Sequence, residues 1–83
     1  MGHTVMKQYG NVKVKMDTKD DVSYDAKDPH VFLEENGKVT VRHLSLSTVD
    51  NYVGRTSDEK KAIYWIRDNK EWLIEQYFDK NRR

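Results

Sequence analysis

A two-residue turn signal, Asn36-Gly37, separates two runs of strand-forming residues and constrains the fold of this chain more than any other feature. Both residues tolerate the positive φ angles of a type I′ turn, so the stretch DPHVFLEENGKVTVRH, residues 28–43, is predicted to form a β-hairpin. A two-residue loop also fixes the register, which places His30 opposite His43 on one face of the sheet. The predicted pairs are Glu35 with Lys38, Glu34 with Val39, Leu33 with Thr40, Phe32 with Val41, Val31 with Arg42, and His30 with His43.

The residues before this hairpin predict two more strands and a loop. In VKVKM, residues 12–16, apolar side chains alternate with lysines, which is the period of a half-buried strand. Residues 4–9 show a weaker strand pattern, and Gly10-Asn11 is a turn signal between the two runs. The acidic segment at residues 17–28 has few large apolar side chains and is predicted to be an exposed, mobile loop.

Helical patterns follow the hairpin. A short helix is predicted between Ser47, its N-cap, and Gly54, whose left-handed conformation would end it. A longer helical region has Ser57 as its predicted N-cap. Lys70 interrupts its apolar face. Either its aliphatic stem extends past the core within one helix, or the helix breaks or kinks near Asp68-Asn69, which is the favoured prediction. The apolar stripe at helical spacing consists of Ala62, Ile63, Ile66, Leu73 and Tyr77, with Ile74 at its edge.

Length and composition limit the class of protein. The 83 residues are predicted to form a single domain, residues 1–83, and the absence of cysteine excludes disulfides and thiolate chemistry. Fifteen Lys and Arg against 14 Asp and Glu leave a net charge of only +1, which argues against a dedicated nucleic-acid binder. No apolar run could span a bilayer, so we expect a cytoplasmic protein with no membrane partner.

The order of the elements predicts an α+β fold: a small antiparallel sheet of three or four strands packed against a C-terminal helical region. In that order, DPHVFLE, KVTVRHLSL, VGRTSDE and IRDNKEWLIEQYF resemble a family of small bacterial domains of unknown function with a PHVHV-type strand motif, over about residues 11–80. Its members are often encoded in toxin–antitoxin-like gene pairs, so the resemblance implies a role as one component of such a bacterial or phage pair. Pro29, His30 and Val31 match the motif, whereas Phe32 replaces its second histidine.

The predicted histidine pair is compatible with two kinds of chemistry. His30 and His43 could together bind a zinc ion if an aspartate of the 17–28 segment supplied a third ligand. Alternatively, a small nuclease or nucleic-acid-binding protein could use both histidines with the nearby cation Arg42, although strand alternation points Arg42 to the opposite face. The simpler interpretation is that both histidines are structural, with no catalytic residue, metal or cofactor.

The helical region contains more aromatic side chains than one apolar stripe can bury, so some are predicted to form an exposed partner-binding surface. The predicted partner-binding residues are Trp65, Trp72, Tyr77 and Phe78. The alternative is that the helices and the sheet bury all of them. The favoured function is therefore a small non-enzymatic protein-interaction module with a protein partner; self-association is an open alternative, and nucleic acid is a less favoured partner.

Overall fold

A computed structural model describes residues 3–17 and 27–80, and in this part of the chain four antiparallel strands are followed by helices. The elements are β1 (His3–Tyr9), β2 (Val12–Asp17), β3 (His30–Glu35), β4 (Lys38–Ser45), the 3₁₀ turn (Val49–Asn51), α1 (Ser57–Asp68) and α2 (Lys70–Lys80). The strands lie in the order β1-β2-β3-β4, and α1 packs against β1 and β2. The predicted α+β class is confirmed, with four strands in the sheet.

The hydrophobic core lies between the sheet and the helices. In β2 the alternating side chains of Val12, Val14 and Met16 are buried, as the period-two pattern predicts. Burial of a large apolar side chain stabilises a fold by about 1.5–3 kcal/mol, so this core is the main source of stability in a chain without cysteine. The helical side of the core is the predicted stripe, now confirmed as buried: Ala62, Ile63, Ile66, Leu73 and Tyr77.

The hairpin turn forms where it was predicted. Asn36 and Gly37 have φ angles of 54° and 80°, the positive values that favour these two residue types. The two residue pairs next to the turn are also as predicted, with Glu35 opposite Lys38 in the first of them. The turn chemistry therefore fixes the local register of β3 and β4 correctly.

Farther from the turn, the predicted register is wrong because β4 contains two irregularities. One extra residue lies near Thr40, so Leu33 is opposite Val41, and a second shift places His30 opposite Ser45. A regular two-residue hairpin pattern contains no signal for such bulges. Two shifts of one residue restore the alternation of faces, so His30 stays on the same side of the hairpin as His43.

The loop boundaries and the first helix also differ in detail from the prediction. Asp17, assigned from sequence to an exposed loop, is the last residue of β2 and is buried. Residues 18–26, the larger part of that predicted loop, lie outside the described residues. The short helix after β4 is a 3₁₀ turn with Thr48 rather than Ser47 at its N-cap position.

Gly54 does not adopt the left-handed conformation that was predicted to end a helix. The glycines with positive φ in the described chain are Gly10 and Gly37. A Cβ added at Gly54 would lie 2.7 Å from the backbone nitrogen of Lys60. Glycine is therefore needed at position 54 because the chain passes close to the first turn of α1.

The start of α1 is shifted by one residue, and the predicted helix break is confirmed. Thr56 rather than Ser57 is the N-cap, because its side chain accepts a hydrogen bond from the backbone N–H of Glu59. The carboxylate of Glu59 in turn accepts from the backbone N–H of Arg55, at 2.7 Å. α1 ends at Asp68 and α2 begins at Lys70, so the single residue Asn69 separates the two helices.

Candidate functional site

His30 lies at the start of β3 in a fully buried position and is hydrogen-bonded on both sides of its ring. Its Nε2 is 2.9 Å from Oδ2 of Asp17, the last residue of β2, and its Nδ1 is 2.9 Å from the carbonyl oxygen of Asp28. The hydroxyl of Tyr77 in α2 is 3.4 Å from the same Nδ1. The imidazole therefore joins two strands, the segment before β3 and the second helix.

Both ring nitrogens of His30 face acceptor oxygens, a carboxylate on one side and a carbonyl on the other. For both hydrogen bonds to form, one hydrogen must lie between Nε2 and the Asp17 carboxylate, and a second must lie between Nδ1 and the Asp28 carbonyl oxygen. Burial makes these bonds expensive to lose, because water cannot replace either partner. The geometry is that of a structural clamp at the end of the sheet.

His43 lies beside His30, as predicted, although the two residues are diagonal neighbours rather than direct partners. The two rings are stacked, with 3.9 Å between their centroids and an interplanar angle of 20°. His43 Nε2 is 2.8 Å from Oδ2 of Asp28, and the Ser45 hydroxyl donates to Oδ1 of the same carboxylate at 2.7 Å. Two Asp–His pairs are thus in contact, one buried and one exposed.

The hydrogen bonds that Asp28 accepts make it a poor proton acceptor. The Ser45 hydroxyl and the His43 imidazole both stabilise the carboxylate and lower the pKa of Asp28 below its usual value of 3.8. The Ser45 hydroxyl hydrogen is used on Asp28, so the Ser47 hydroxyl, at 2.9 Å, donates to Ser45 in turn. A hydroxyl chain that ends on such a weak base does not activate a serine as a nucleophile.

The candidate catalytic residues are not arranged for catalysis at a surface. His30 is fully buried, and its two nitrogens have protein partners. Arg42 is exposed at the second irregularity of β4, where Arg42 and His43 together lie opposite Phe32. Within residues 3–17 and 27–80, no three His, Asp or Glu side chains are grouped so as to hold a metal ion.

The predicted partner-binding aromatics divide between the core and the surface. Tyr77 is fully buried, so its predicted role as a surface contact is wrong: it packs in the core and reaches His30. Trp65 is half-buried and contacts Trp72 edge to face, with ring centroids 6.4 Å apart. Trp72 and Phe78 are exposed and remain available to a partner.

A second apolar surface, which was not predicted, lies where the chain approaches α1. Val53 is 75% exposed and Tyr64 is 61% exposed, and both line a pocket of about 280 Å³ whose floor includes the buried Ile63. The guanidinium of Arg67 lies 5.5 Å from the Tyr64 ring. The remaining residues around this pocket are Tyr52, Gly54 and Lys60.

Arg67 and Lys60 give this pocket its positive charge. The Arg67 guanidinium donates to the carbonyl oxygens of Val49, at 3.3 Å, and Tyr52. Among the described residues Arg67 forms no ion pair with a carboxylate, and its side-chain hydrogen bonds go to backbone carbonyls. The pocket therefore combines an apolar floor with a cation that a carboxylate from another molecule could reach.

Sequence patterns could have identified some of these features. Asp17 and Asp28 are the first and last residues of the acidic segment, and the sequence does not indicate which of its aspartates contact the histidines. Val53 is an apolar residue next to a glycine, which is a weak signal for exposure. Tyr64 lies off the buried stripe of α1, and this is the one clear sequence signal for the pocket.

Comparisons of this chain with known protein families, with curated protein sequences and with solved structures find no match. In the described part of the chain no helix is long and apolar enough to cross a membrane. The case for function therefore depends on the geometry of the two Asp–His pairs and of the helical half.

Proposed function

We propose that this protein is a small non-enzymatic protein-interaction module whose recognition surface lies on the helical half of the domain. The main observation in its support is that large apolar side chains are exposed in the segment before α1 and on both helices. We define the helical surface as the four exposed residues Val53, Tyr64, Trp72 and Phe78. Such side chains, when clustered, favour contact with another protein over contact with water.

Isolated exposed apolar residues are common, so their arrangement matters more than their number. Val53 and Tyr64 border one pocket, with the Arg67 guanidinium beside the Tyr64 ring. Tyrosine, tryptophan and arginine are the residue types that most often carry binding energy in protein interfaces. This combination supports protein recognition better than binding of a small polar ligand.

The alternative function, a small nuclease or nucleic-acid binder, gains no support from the two Asp–His pairs. A general base must reach the proton that it removes, and the His30 ring is buried. His43 is exposed, but its Nε2 is bonded to Asp28. A role in a toxin–antitoxin-like pair and a cytoplasmic location remain predictions.

An affinity capture with matched variants tests the proposal. The bait is the tagged full chain, exposed to a lysate of the organism from which the sequence comes. The surface variant is Val53→Ser with Tyr64→Ser, and the matched control is Val5→Ser, which changes an exposed valine of the sheet. We expect wild type and control to retain the same protein in near-stoichiometric amount, and the surface variant to lose it.

Circular dichroism first establishes that all three baits are folded. Retention of the same protein by the surface variant would contradict the proposed surface. Enrichment of RNA or DNA without a protein would contradict the proposed function and support the nucleic-acid alternative.

A further inference from the structure

We propose that the partner bound by the helical surface is a second copy of this chain, with α2 of one copy docked on the exposed face of α1 of the other. This inference rests on the proposed function and names its partner. It follows from the opposite charges that the two helices present beside their exposed aromatic side chains.

The exposed face of α1 is positively charged around an aromatic ring. Lys60, Lys61, Tyr64 and Arg67 follow one another at spacings that place them on one side of a helix. Lys60, Lys61 and Tyr64 are exposed, and none of the three cations forms an ion pair with a residue that the structure describes. Asp68, four residues after Tyr64 at the C-terminal end of α1, is an exposed carboxylate on the same face, where the three cations outnumber it.

The exposed face of α2 has the opposite charge, again beside aromatic rings. Glu71 and Glu75 are four residues apart and exposed, so they lie on one side of the helix. Neither glutamate has an ion-pair partner among the described residues. Trp72 and Phe78, the two exposed aromatic residues of α2, flank this pair.

Within the described part of one copy, the cations of the α1 face form no ion pairs with the glutamates of the α2 face. The helix break at Asn69 separates α1 from α2, and the ion pair made by α2 in the described chain is Lys70 with Asp50, at 2.9 Å, rather than a pair with α1. Each copy therefore carries one positive and one negative face, both with exposed aromatic rings.

In a dimer with a two-fold axis, the contact between an α1 face and an α2 face would form twice. The α1 face of the first copy would meet the α2 face of the second, and the reverse contact would follow by symmetry. The pocket beside Tyr64 and Arg67 would receive an apolar side chain flanked by carboxylates, for which Trp72 beside Glu71 is the matching chemistry. Opposite charges would set the orientation, and the aromatic contacts would supply most of the affinity.

Charge reversal with cross-rescue tests this arrangement. Variant A carries Lys60→Glu and Lys61→Glu, and variant B carries Glu71→Lys and Glu75→Lys. Alone, each variant would face like charges in its own dimer, whereas a mixture of A and B restores opposite charges at both contacts. Sedimentation equilibrium of the purified full chains is expected to show self-association of wild type, at least about tenfold weaker association of A and of B, and recovery in the mixture.

The control variant carries Lys38→Glu and Arg42→Glu, two exposed residues of β4. Like variant A, it changes the net charge from +1 to −3, because each reversal changes it by −2. The control is expected to associate as wild type does. A wild-type chain that stays monomeric from micromolar to millimolar concentration would overturn the inference but leave the proposed function standing, since a different protein could still bind.

Association of wild type that neither A nor B weakens, or that the control weakens equally, would also overturn the inference. It would show that copies meet through another surface or through net charge alone. Circular dichroism of each variant separates these outcomes from loss of the fold.

Discussion

The two Asp–His pairs differ in burial but hardly in distance, and this makes them a matched test of what burial does to such a pair. In the Asp17–His30 pair the nitrogen and oxygen are 2.9 Å apart, and the side chains of His30 and Asp17 are 0% and 4% exposed. In the Asp28–His43 pair the distance is 2.8 Å, and the side chains of His43 and Asp28 are 43% and 36% exposed. We predict that the same substitution, histidine to leucine, has very different costs at the two positions.

The expected cost at His30 follows from the groups that lose their partners. His30→Leu removes one hydrogen bond of the buried Asp17 carboxylate, about 1.5–3 kcal/mol for a bond to a charged group, and one hydrogen bond of the Asp28 carbonyl, about 1 kcal/mol. The sum of about 2.5–4 kcal/mol compares with a total stability of about 4–12 kcal/mol for a chain of 83 residues. His43→Leu removes an exposed pair and should cost about 0.2–1 kcal/mol.

Urea denaturation measures the free energy of unfolding of each variant and thermal denaturation measures its melting temperature, with tryptophan fluorescence and circular dichroism as probes. The melting temperature should fall by at least about 10 °C for His30→Leu and by only a few degrees for His43→Leu. The double variant Asp17→Leu with His30→Leu should recover part of the loss, because no buried carboxylate is left behind. Equal costs at His30 and His43, or a cost below about 1 kcal/mol at His30, would refute the assignment of the buried pair as a structural clamp.

Two further predictions concern the exposed pair and the approach of the chain to α1. The Ser45 and His43 bonds lower the pKa of Asp28, so its stabilising contribution is present above the usual value of 3.8 and is lost as the pH falls through the lowered pKa. The stability gap between wild type and Asp28→Asn should therefore shrink as the pH falls below about 4; a gap that widens between about pH 5 and pH 3 would contradict this. Gly54→Ala should destabilise the fold by about 1–3 kcal/mol in thermal melts, because the added Cβ would lie 2.7 Å from the Lys60 nitrogen, and an unchanged melting temperature would show that the loop can move away.

Local sequence patterns predicted most of the fold. The Asn36-Gly37 turn, the alternating residues of β2, the buried stripe and the break at Asn69 all depend on chemistry within a few residues of each other. Cap positions were displaced by one residue, because Thr56 and Ser57 have the same capping chemistry and only the hydrogen bond to Glu59 distinguishes them.

The candidate site was less predictable because it depends on long-range contacts. The two shifts in β4 have no sequence signal, yet they decide that His30 lies opposite Ser45 and beside the ring of His43. Tyr77 is buried because it belongs to the apolar stripe that faces the core. The same position in the stripe argues against the surface role that was predicted for it. The charged residues of the helices can be read from the sequence. Which of them lack an ion-pair partner depends on how α1 and α2 pack in the fold.

The most direct test of the helical surface is a concentration series of ¹⁵N–¹H NMR spectra of the wild-type chain. If a second copy binds this surface, amide shifts should change with concentration along α1, along α2 and at residues 52–54, while the turn between β3 and β4 stays constant. Spectra that do not change with concentration, or changes centred on that turn, would contradict self-association through the helical surface.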